Sequence, residues 1–374
     1  MSQIVIVARS DETLHMGGDT VQSQAIEQFL RVRGFDVRRV HEVDHTLTSS
    51  DLVILFNLTR PMEVYIHARA CQDRGIRYIL FPVYWDLDSL HMTGTPRQVF
   101  KSLIPPYLRD VYRTLWQEIG DRAQGRGGII TDSMSWSTIK MARYVLEHAY
   151  LVCPNSHAEM EHIVQKFRFR PQNMLVIYNG LEPLLEPQQL PDNVRCLLPE
   201  SQYLLCMGAI GPRKNQLSLV RASRAMEIYL VILGGAARGC DAYATRVMSE
   251  AGDNVIFIPA QSHSIAMEIL RRSHAHVQPS FIETPGLASL EAASLGLPIG
   301  VADVPPVREY FHDYAFYCDP LDERSIAVML GKLQQSDYHA KERSDYVIER
   351  YSWDIVLDPF AAQITEMLYP TPQF

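Results

Sequence analysis

Two glutamates in the stretch FIETPGLASLEAASLGLPIG, residues 281–300, have a spacing that suits a ligand carrying both hydroxyls and phosphate. Glu283 and Glu291 bracket a Pro285-Gly286 pair, and proline is favoured in the first turn of a helix. The apolar residues that follow predict a helix starting at this pair. The question is what a helix start flanked by two carboxylates could bind.

The start of the predicted helix suits an anion. Backbone N–H groups around Gly286, Leu287 and Ala288 would be free, and the helix dipole would favour negative charge there. Glu291 could accept hydrogen bonds from a vicinal diol such as ribose, and Glu283 from a second polyol. A nucleoside diphosphate sugar has this layout. Taken singly, each glutamate also fits a solvated or helix-capping residue.

A second segment, GAIGPRKNQ, begins at Gly208 and follows a predicted strand. Arg213 and Lys214 within it could neutralise a diphosphate, the arginine through its planar fork and the lysine as a point charge. Gly17 and Gly18 follow the first strand and fit either a tight turn or a close approach of phosphate to the backbone.

Short apolar strands alternate with helical stretches along the chain, which favours α/β domains with parallel sheets. Two consecutive doubly wound, Rossmann-like units are the simplest architecture. If they face each other, the loops at the carboxyl ends of their strands line a central cleft. The predicted strands are 4–8, 36–40, 52–56, 77–83, 151–155 and 174–180, then 203–208, 229–235, 254–259, 275–280 and 297–302.

Composition excludes several classes of protein. The chain of 374 residues is 47% hydrophobic and 21% charged, which is typical of a soluble globular protein with two domains. Its net charge of -8 argues against a nucleic-acid partner. The six scattered cysteines favour free thiols, and the polar N-terminus does not resemble a signal peptide, so a cytoplasmic location is expected.

These motifs resemble the retaining GT-B glycosyltransferases with the E-x7-E motif, the glycosyl transferases of group 1, or family 4-like enzymes. The matching features keep the family's order along most of the chain. They are Gly17-Gly18, VIYNG at 176–180, GAIGPRKN, LGG at 233–235, the stretch from Pro279 to Gly300, and SWD at 352–354.

The resemblance implies three parts for the chain and a role for each matching position. Residues 1–180 would form the acceptor-side domain, 181–352 the nucleotide-sugar domain, and 353–374 a helix that crosses back to the first domain. The catalytic residues would be Glu283, Arg213 and Lys214. Donor-binding residues would be Gly17, Gly18, Gly208, Arg213, Lys214, Glu283, Gly286, Leu287 and Glu291.

The implied function is transfer of a sugar from a nucleoside diphosphate sugar to an acceptor hydroxyl with retained configuration, in surface polysaccharide or glycoconjugate assembly. The acceptor would be a saccharide or a lipid-linked saccharide. Where the family often has a histidine, this chain has Tyr84, Trp85 and Asp86, which we take as the acceptor region.

No metal or other cofactor is expected. Asp86 and Asp88 have the spacing of a metal-nucleotide motif, but they lie in the predicted acceptor region, where a polar loop is the favoured interpretation. Residues 99–120 carry an apolar stripe and 166–170 a basic cluster, so peripheral contact with the inner face of the membrane is an alternative to ordinary core packing.

Two other functional classes remain open. The same fold could support a nucleotide-sugar epimerase or hydrolase, or a non-catalytic sugar-binding protein. A dinucleotide dehydrogenase is disfavoured, because the first strand leads into HMGGDT rather than G-x-G-x-x-G.

Overall fold

The computed structural model describes residues 3–9, 12, 17–43, 46–85, 138–335 and 339–369. The chain divides into two compact units, each with its own parallel sheet. The first unit comprises Met1–Tyr178 together with Leu357–Phe374, and the second comprises Asn179–Val356. Asp86, Asp88 and the segment 99–120 lie outside the described residues.

The first unit has a five-stranded parallel sheet with the order β2-β1-β3-β4-β5. Its strands are Ile4–Val7, Val37–Val40, Leu52–Phe56, Arg77–Phe81 and Leu151–Val152. In the register of the three adjacent strands, Ile4 pairs with Val37 on one side and with Leu52 on the other. Every residue of β1 is buried, as expected for a parallel strand covered on both faces.

Helices connect these strands and cover the sheet. They are α1 (Gly18–Val32), α2 (Pro61–Asp73), α3 (Thr138–His148) and α4 (His157–Phe167). The buried face of α3, with Met141, Val145 and Leu146, packs in one core cluster with Val64 and Ala68 of α2. These apolar positions recur every three or four residues, which explains why the segments are amphipathic helices.

The second unit has a six-stranded parallel sheet with the order β11-β10-β9-β6-β7-β8. Its strands are Leu204–Met207 (β6), Leu230–Leu233 (β7), Val255–Ile258 (β8), Ala275–Gln278 (β9), Ile299–Ala302 (β10) and Phe316–Cys318 (β11). Strands β6 and β9 lie side by side near the centre, so the loops that follow them leave the sheet at neighbouring positions.

Most helices of the second unit alternate with its strands, but the first precedes β6 and the last ones follow one another after β11. They are α5 (Asp192–Arg195), α6 (Gln216–Ala225), α7 (Asp241–Ser249), α8 (His263–Arg272), α9 (Leu287–Ser294), α10 (Pro305–Phe311), α11 (Glu323–Gln335) and α12 (Ala340–Tyr351). Helix α13 (Trp353–Leu368) begins in this unit, and its residues from Leu357 onward belong to the first. None of the helices in the described ranges is long and apolar enough to cross a bilayer.

Three local predictions were wrong. Residues 174–180 form no strand, although Met174 makes an isolated bridge with Val152 and Leu175 and Ile177 donate backbone hydrogen bonds to Val152 and Pro154. The segment GAIGPRKNQ, which its position after a strand predicts to open a helix, first forms a 3₁₀ turn, Pro212–Lys214, and the α-helix starts at Gln216. Pro285 precedes the helix cap instead of lying in the first turn. Local backbone geometry decided each case, and a run of apolar residues does not indicate that geometry.

Candidate functional site

The centre of the candidate site is the carboxylate of Glu283, which lies in the loop between β9 and α9. Lys214 Nζ donates to Glu283 Oε2 at 2.5 Å, and Arg213 Nη1 lies 3.4 Å from Glu283 Oε1. Ser280 Oγ also donates to Oε2, at 3.0 Å. The structure therefore brings the three residues with predicted catalytic roles into one charged cluster, which we call the Glu283 cluster: Glu283, Arg213, Lys214 and Ser280.

The Glu283 cluster keeps its carboxylate ionised. Burial by itself would raise the pKa of Glu283, but the charges of Lys214 and Arg213 outweigh burial and lower the pKa to about 2. The side chain of Glu283 is only 10% exposed and that of Lys214 16%, so water screens their attraction weakly. Two cations face a single carboxylate, so the cluster has net positive charge.

The cations of the cluster retain unused hydrogen-bond donors. Within the described residues, Lys214 Nζ bonds only to Glu283, although an ammonium has three donors. Arg213 uses only Nη1, which donates to the Ile282 carbonyl at 2.8 Å and contacts Glu283. The Arg213 side chain is 41% exposed, so its other nitrogens can donate hydrogen bonds to an anion from solvent.

The N-terminus of α9 lies directly beside this cluster. Gly286 is the N-cap residue and has φ +87°, a left-handed value that favours glycine. A Cβ there would lie 3.1 Å from Glu283 Cγ and 3.3 Å from Ser289 Oγ, so the glycine also makes room. Within the described residues, the backbone N–H groups of Leu287 and Ala288 make no hydrogen bond. Together with the cations they form an anion site.

Gly208, just after β6, lies beside the Lys214 side chain of the cluster. Its φ is +139°, and a Cβ would lie 3.9 Å from Lys214 Cε. Its carbonyl packs so closely on Gly234 that any side chain at position 234 would strike it. The LGG motif at 233–235 therefore holds the backbone of Gly208 in place.

Glu291, the second glutamate of the motif, lies on α9 and has a partner that we did not expect from the sequence. His263 Nε2, at the start of α8, is 2.8 Å from Glu291 Oε1. The hydrogen bond to Glu291 raises the pKa of His263, although partial burial opposes the shift. The Glu291 side chain is 21% exposed, and within the described residues its second carboxylate oxygen makes no hydrogen bond.

The VIYNG and SWD motifs support the site. Asn179 Nδ2 donates to the Thr284 carbonyl at 3.1 Å, and the Asn179 N–H donates to Tyr310 Oη at 2.7 Å. Gly180 packs against the indole of Trp353 so tightly that a side chain would strike the ring. These contacts tie the loop around Glu283 to α10 and to the start of α13. Sequence reasoning singled out both motifs without foreseeing that they pair.

The other predicted residues lie in the first unit. Gly17 caps α1 with an extended backbone, φ −131°, and Gly18 is the first residue of that helix. Tyr84 and Trp85 follow β4 at the carboxyl edge of the sheet. Asp86 lies outside the described residues.

The described side chains form no group of three His, Cys, Asp or Glu residues that could hold a metal ion. His276 lies on β9 near the Glu283 cluster and is fully buried. Burial and the charge of Lys214 lower the pKa of His276 to about 3, so its imidazole is neutral near pH 7. His274, two residues earlier, bonds to the Leu333 carbonyl at 3.0 Å.

Residues 197–350, which contain every part of this anion site, match the family model of the glycosyl transferases group 1. The two parallel-sheet units together have the fold class of GT-B glycosyltransferases. Over residues 197–350 the resemblance to the glycosyl transferases group 1 that was inferred from the motifs is confirmed.

Curated relatives match part of the chain. The O-antigen chain mannosyltransferase RfbU of Salmonella typhimurium is 24% identical over 220 residues, 58% of this chain and 58% of that protein. A D-inositol 3-phosphate glycosyltransferase of Stackebrandtia nassauensis is 32% identical over 168 residues, 40% of this chain and 38% of that protein. The chain thus spans from about two fifths to just over half of the length of these relatives.

Solved structures match nearly the whole chain. Sucrose-phosphate synthase from Thermosynechococcus elongatus superposes with a TM-score of 0.72 at 13% identity, over 99% of this chain and 100% of that one. Anabaena HepE in complex with UDP-glucose gives a TM-score of 0.68 at 14% identity, over 98% and 100%. At such identities the likeness shows the fold, and the predicted fold class is confirmed.

Proposed function

We propose that this chain is a retaining glycosyltransferase that moves a sugar from a nucleoside diphosphate sugar to an acceptor hydroxyl. The observation that carries the proposal is the Glu283 cluster beside the N-terminus of α9. Two cations with unused donors and two unbonded backbone N–H groups surround one buried carboxylate. The cations and the N–H groups suit a diphosphate, and the carboxylate suits a sugar hydroxyl.

In the proposed reaction the bond between the sugar anomeric carbon and the diphosphate oxygen breaks. A bond from that carbon to the acceptor oxygen forms on the same face. The acceptor proton passes to the departing diphosphate. Arg213, Lys214 and the N–H groups of Leu287 and Ala288 stabilise the charge that develops on the diphosphate, and fixed donors of this kind are the main source of catalysis in many enzymes. Their charge serves this purpose without a metal ion.

Glu283 would bind the hydroxyls of the transferred sugar rather than act as a nucleophile. Its pKa of about 2 keeps it ionised, and its Oε2 already accepts hydrogen bonds from Lys214 and Ser280. Glu291 would accept bonds from the ribose hydroxyls with its second oxygen. Gly17 and Gly18 stay predicted donor-binding residues, and Tyr84 and Trp85 stay the predicted acceptor region.

The relatives support a role in surface polysaccharide assembly. Two of them are named O-antigen chain mannosyltransferases, and a structural neighbour is a UDP-glucose complex. A mannosyl donor is therefore the first donor to test. A saccharide or lipid-linked saccharide acceptor, and a location in the cytoplasm at the inner face of the membrane, are part of the same proposal.

Thermal unfolding with nucleotides tests the donor site. UDP, GDP, ADP, CDP and dTDP are each added at millimolar concentration in the presence of EDTA. We expect one nucleotide to raise the Tm, because a ligand at about 100 times its Kd adds about 2.7 kcal/mol to the free energy of unfolding. Lys214→Met should abolish the shift. Lys332→Met, which removes an exposed lysine of the same unit, should leave it intact.

Product analysis with the matching nucleotide sugars then tests the reaction. A new glycosidic bond with retained anomeric configuration, formed in EDTA, supports the proposal. Free sugar alone would identify a hydrolase, and an altered nucleotide sugar would identify an epimerase. A folded wild-type protein that responds to none of the five nucleotides would overturn the donor site.

A further inference from the structure

The exit of β4 in the first unit contains a strained residue. The strand ends at Phe81, and two residues later Val83 has φ +44°. A β-branched residue is a genuine outlier in the left-handed region, because its side chain crowds the backbone there. Such strain persists only where the surrounding structure holds it, and it concentrates at functional sites.

A buried carboxylate holds the residue that follows. Glu159 Oε1 accepts the N–H of Tyr84 at 2.5 Å, and Glu159 Oε2 accepts the N–H of Asn155 at 2.6 Å. Glu159 is 0% exposed. Its carboxylate therefore joins the chain after β4 to the chain before α4.

This arrangement exceeds what a helix cap requires. Ser156 is the N-cap of α4, and its Oγ accepts the N–H of Glu159 at 2.9 Å. In an ordinary capping box the third residue of the helix returns one bond to the backbone at the helix start. Here one carboxylate oxygen of Glu159 accepts the N–H of Asn155, just before the helix, and the other accepts the N–H of Tyr84 from a distant segment. Burial raises the pKa of Glu159 to about 7, so keeping the carboxylate here is unfavourable by itself.

Helix α4 also holds the side chains of the same segment. The ring of His162 stacks on Tyr84 at 5.8 Å and on Trp85 at 5.1 Å between centroids. Tyr84 further contacts Phe167, with centroids 5.0 Å apart. The backbone and both rings are thus anchored to one helix.

The anchored segment has a donor available for a ligand. Trp85 Nε1 is buried and has no hydrogen-bond partner in the part of the chain that the structure describes. A buried N–H without a partner is unfavourable unless a ligand or water accepts it. Ligands of open parallel sheets bind beyond the carboxyl ends of the strands, which is where Trp85 lies.

We propose that Glu159 is a positioning residue for acceptor binding: it holds Val83 in its left-handed conformation, anchors Tyr84 in the core of the first unit and thereby fixes Trp85, which contacts the acceptor saccharide. This inference rests on the proposed glycosyltransferase function. The Trp85 N–H donates to an acceptor hydroxyl. Glu159 itself does not touch the substrate.

Glu159→Gln is the first test. A glutamine has nearly the same shape but only one acceptor oxygen, so one of the two N–H groups faces an amide nitrogen. We expect the KM for the acceptor to rise about tenfold, the scale of one lost hydrogen bond to a charged group, with the donor KM within about twofold. Glu161→Gln is the matched control, because Glu161 lies on the same helix, exposed, and pairs with Arg170 at 2.7 Å.

Val83→Gly in the Glu159→Gln background separates positioning from general stability. Glycine adopts a positive φ without strain, so Tyr84 and Trp85 should stay in place without the carboxylate. We expect the acceptor KM to return to within about threefold of wild type. An unchanged acceptor KM in Glu159→Gln, an equal rise of the donor KM, or a double variant no better than the single one would each overturn the proposal.

Hydrogen exchange tests the same contact without catalysis. The amide of Tyr84 should exchange faster in Glu159→Gln than in wild type or Glu161→Gln, and equal protection would overturn the inference. If wild type transfers no sugar, the proposed function fails while this measurement still decides the contact. Should Glu159→Gln not fold, Val83→Gly alone is measured: a higher Tm supports strain at Val83, and a lower Tm contradicts it.

Discussion

Glu283 in the second unit and Glu159 in the first are both buried glutamates, yet their pKa values move in opposite directions. Glu283 has Lys214 and Arg213 beside it, and its pKa falls to about 2. The hydrogen-bond partners that affect the pKa of Glu159 are all backbone N–H groups, and this pKa rises to about 7. Burial opposes the charged form in both. Full positive charges overcome this opposition, whereas two peptide dipoles reduce it without cancelling it.

The comparison teaches how one residue type serves two purposes. A carboxylate held by cations fixes the positions of those cations, at the site where we propose that an anion binds. A carboxylate held by N–H groups joins two segments of backbone. The first arrangement can respond to a charged ligand because its cations have unused donors. In the second arrangement both carboxylate oxygens accept backbone N–H groups, so the carboxylate affects only the geometry of the backbone.

Removing a cation from the Glu283 cluster should have the largest effect. Lys214→Met leaves the buried carboxylate short of a partner, and breaking a buried pair destabilises by about 3–5 kcal/mol. Lys214→Met/Glu283→Gln should be less destabilised than Lys214→Met alone, because no uncompensated charge remains. Urea unfolding of both variants measures this. A double variant whose loss equals the sum of the two single losses would contradict the coupling.

The pH dependence of stability should separate the two glutamates. The folded pKa of Glu159 lies above 4.5, so its contribution is present below pH 4.5 and is lost as pH rises to about 7. The folded pKa of Glu283 lies below 4.5, so its contribution is present above pH 4.5 and is lost as pH falls to about 2. Each change amounts to about 3 kcal/mol.

Denaturant unfolding at pH values from 3 to 8 measures both slopes. Glu159→Gln should remove the decline between pH 4.5 and 7 without affecting the acid limb. Glu283→Gln should flatten the acid limb without affecting the decline at higher pH. Parallel curves for wild type and Glu159→Gln across the whole range would show that the two carboxylates do not differ as proposed.

Glu291 provides a third, more exposed case, where the effect should be smallest. His263 is 52% exposed, so water screens its pair with Glu291, and His263→Gln should change the free energy of unfolding by less than about 1 kcal/mol. Because the pKa of His263 is raised, the difference should be greatest below pH 6.5 and vanish as pH rises. NMR titration of the His263 ring should give a pKa above 6.5, and Glu291→Gln should lower it.

Much of the fold could be predicted from local patterns. Apolar runs such as IVIV at β1 and LVILF at β3 are buried parallel strands, because a strand covered on both faces must be apolar along its length. The extended run MLVIYNG was misread for the same reason. It is apolar and partly buried, and Leu175 and Ile177 donate backbone hydrogen bonds to Val152 and Pro154, but it makes a single bridge and not the continuous ladder of a strand.

The candidate site was only partly predictable. Ser156 and Glu159 have the S-x-x-E spacing of a capping box, which could have located the start of α4. Nothing in that spacing indicates Tyr84, which is 75 residues away in the chain. His263 likewise lies 28 residues from Glu291. The roles proposed for the predicted site residues remain predictions until the experiments are done.

The amino-acid sequence by itself determined which residues are apolar and periodic, where glycine relieves the backbone, and which side chains bear charge. These properties are local, and they were sufficient to indicate two α/β units and to predict that a helix start in the second unit binds phosphate. Only the tertiary structure decided which charges meet. The pKa of a buried carboxylate depends on groups within a few ångströms of it, and packing brings those groups from distant parts of the chain. That is why one glutamate belongs to an anion site and another holds a strained turn.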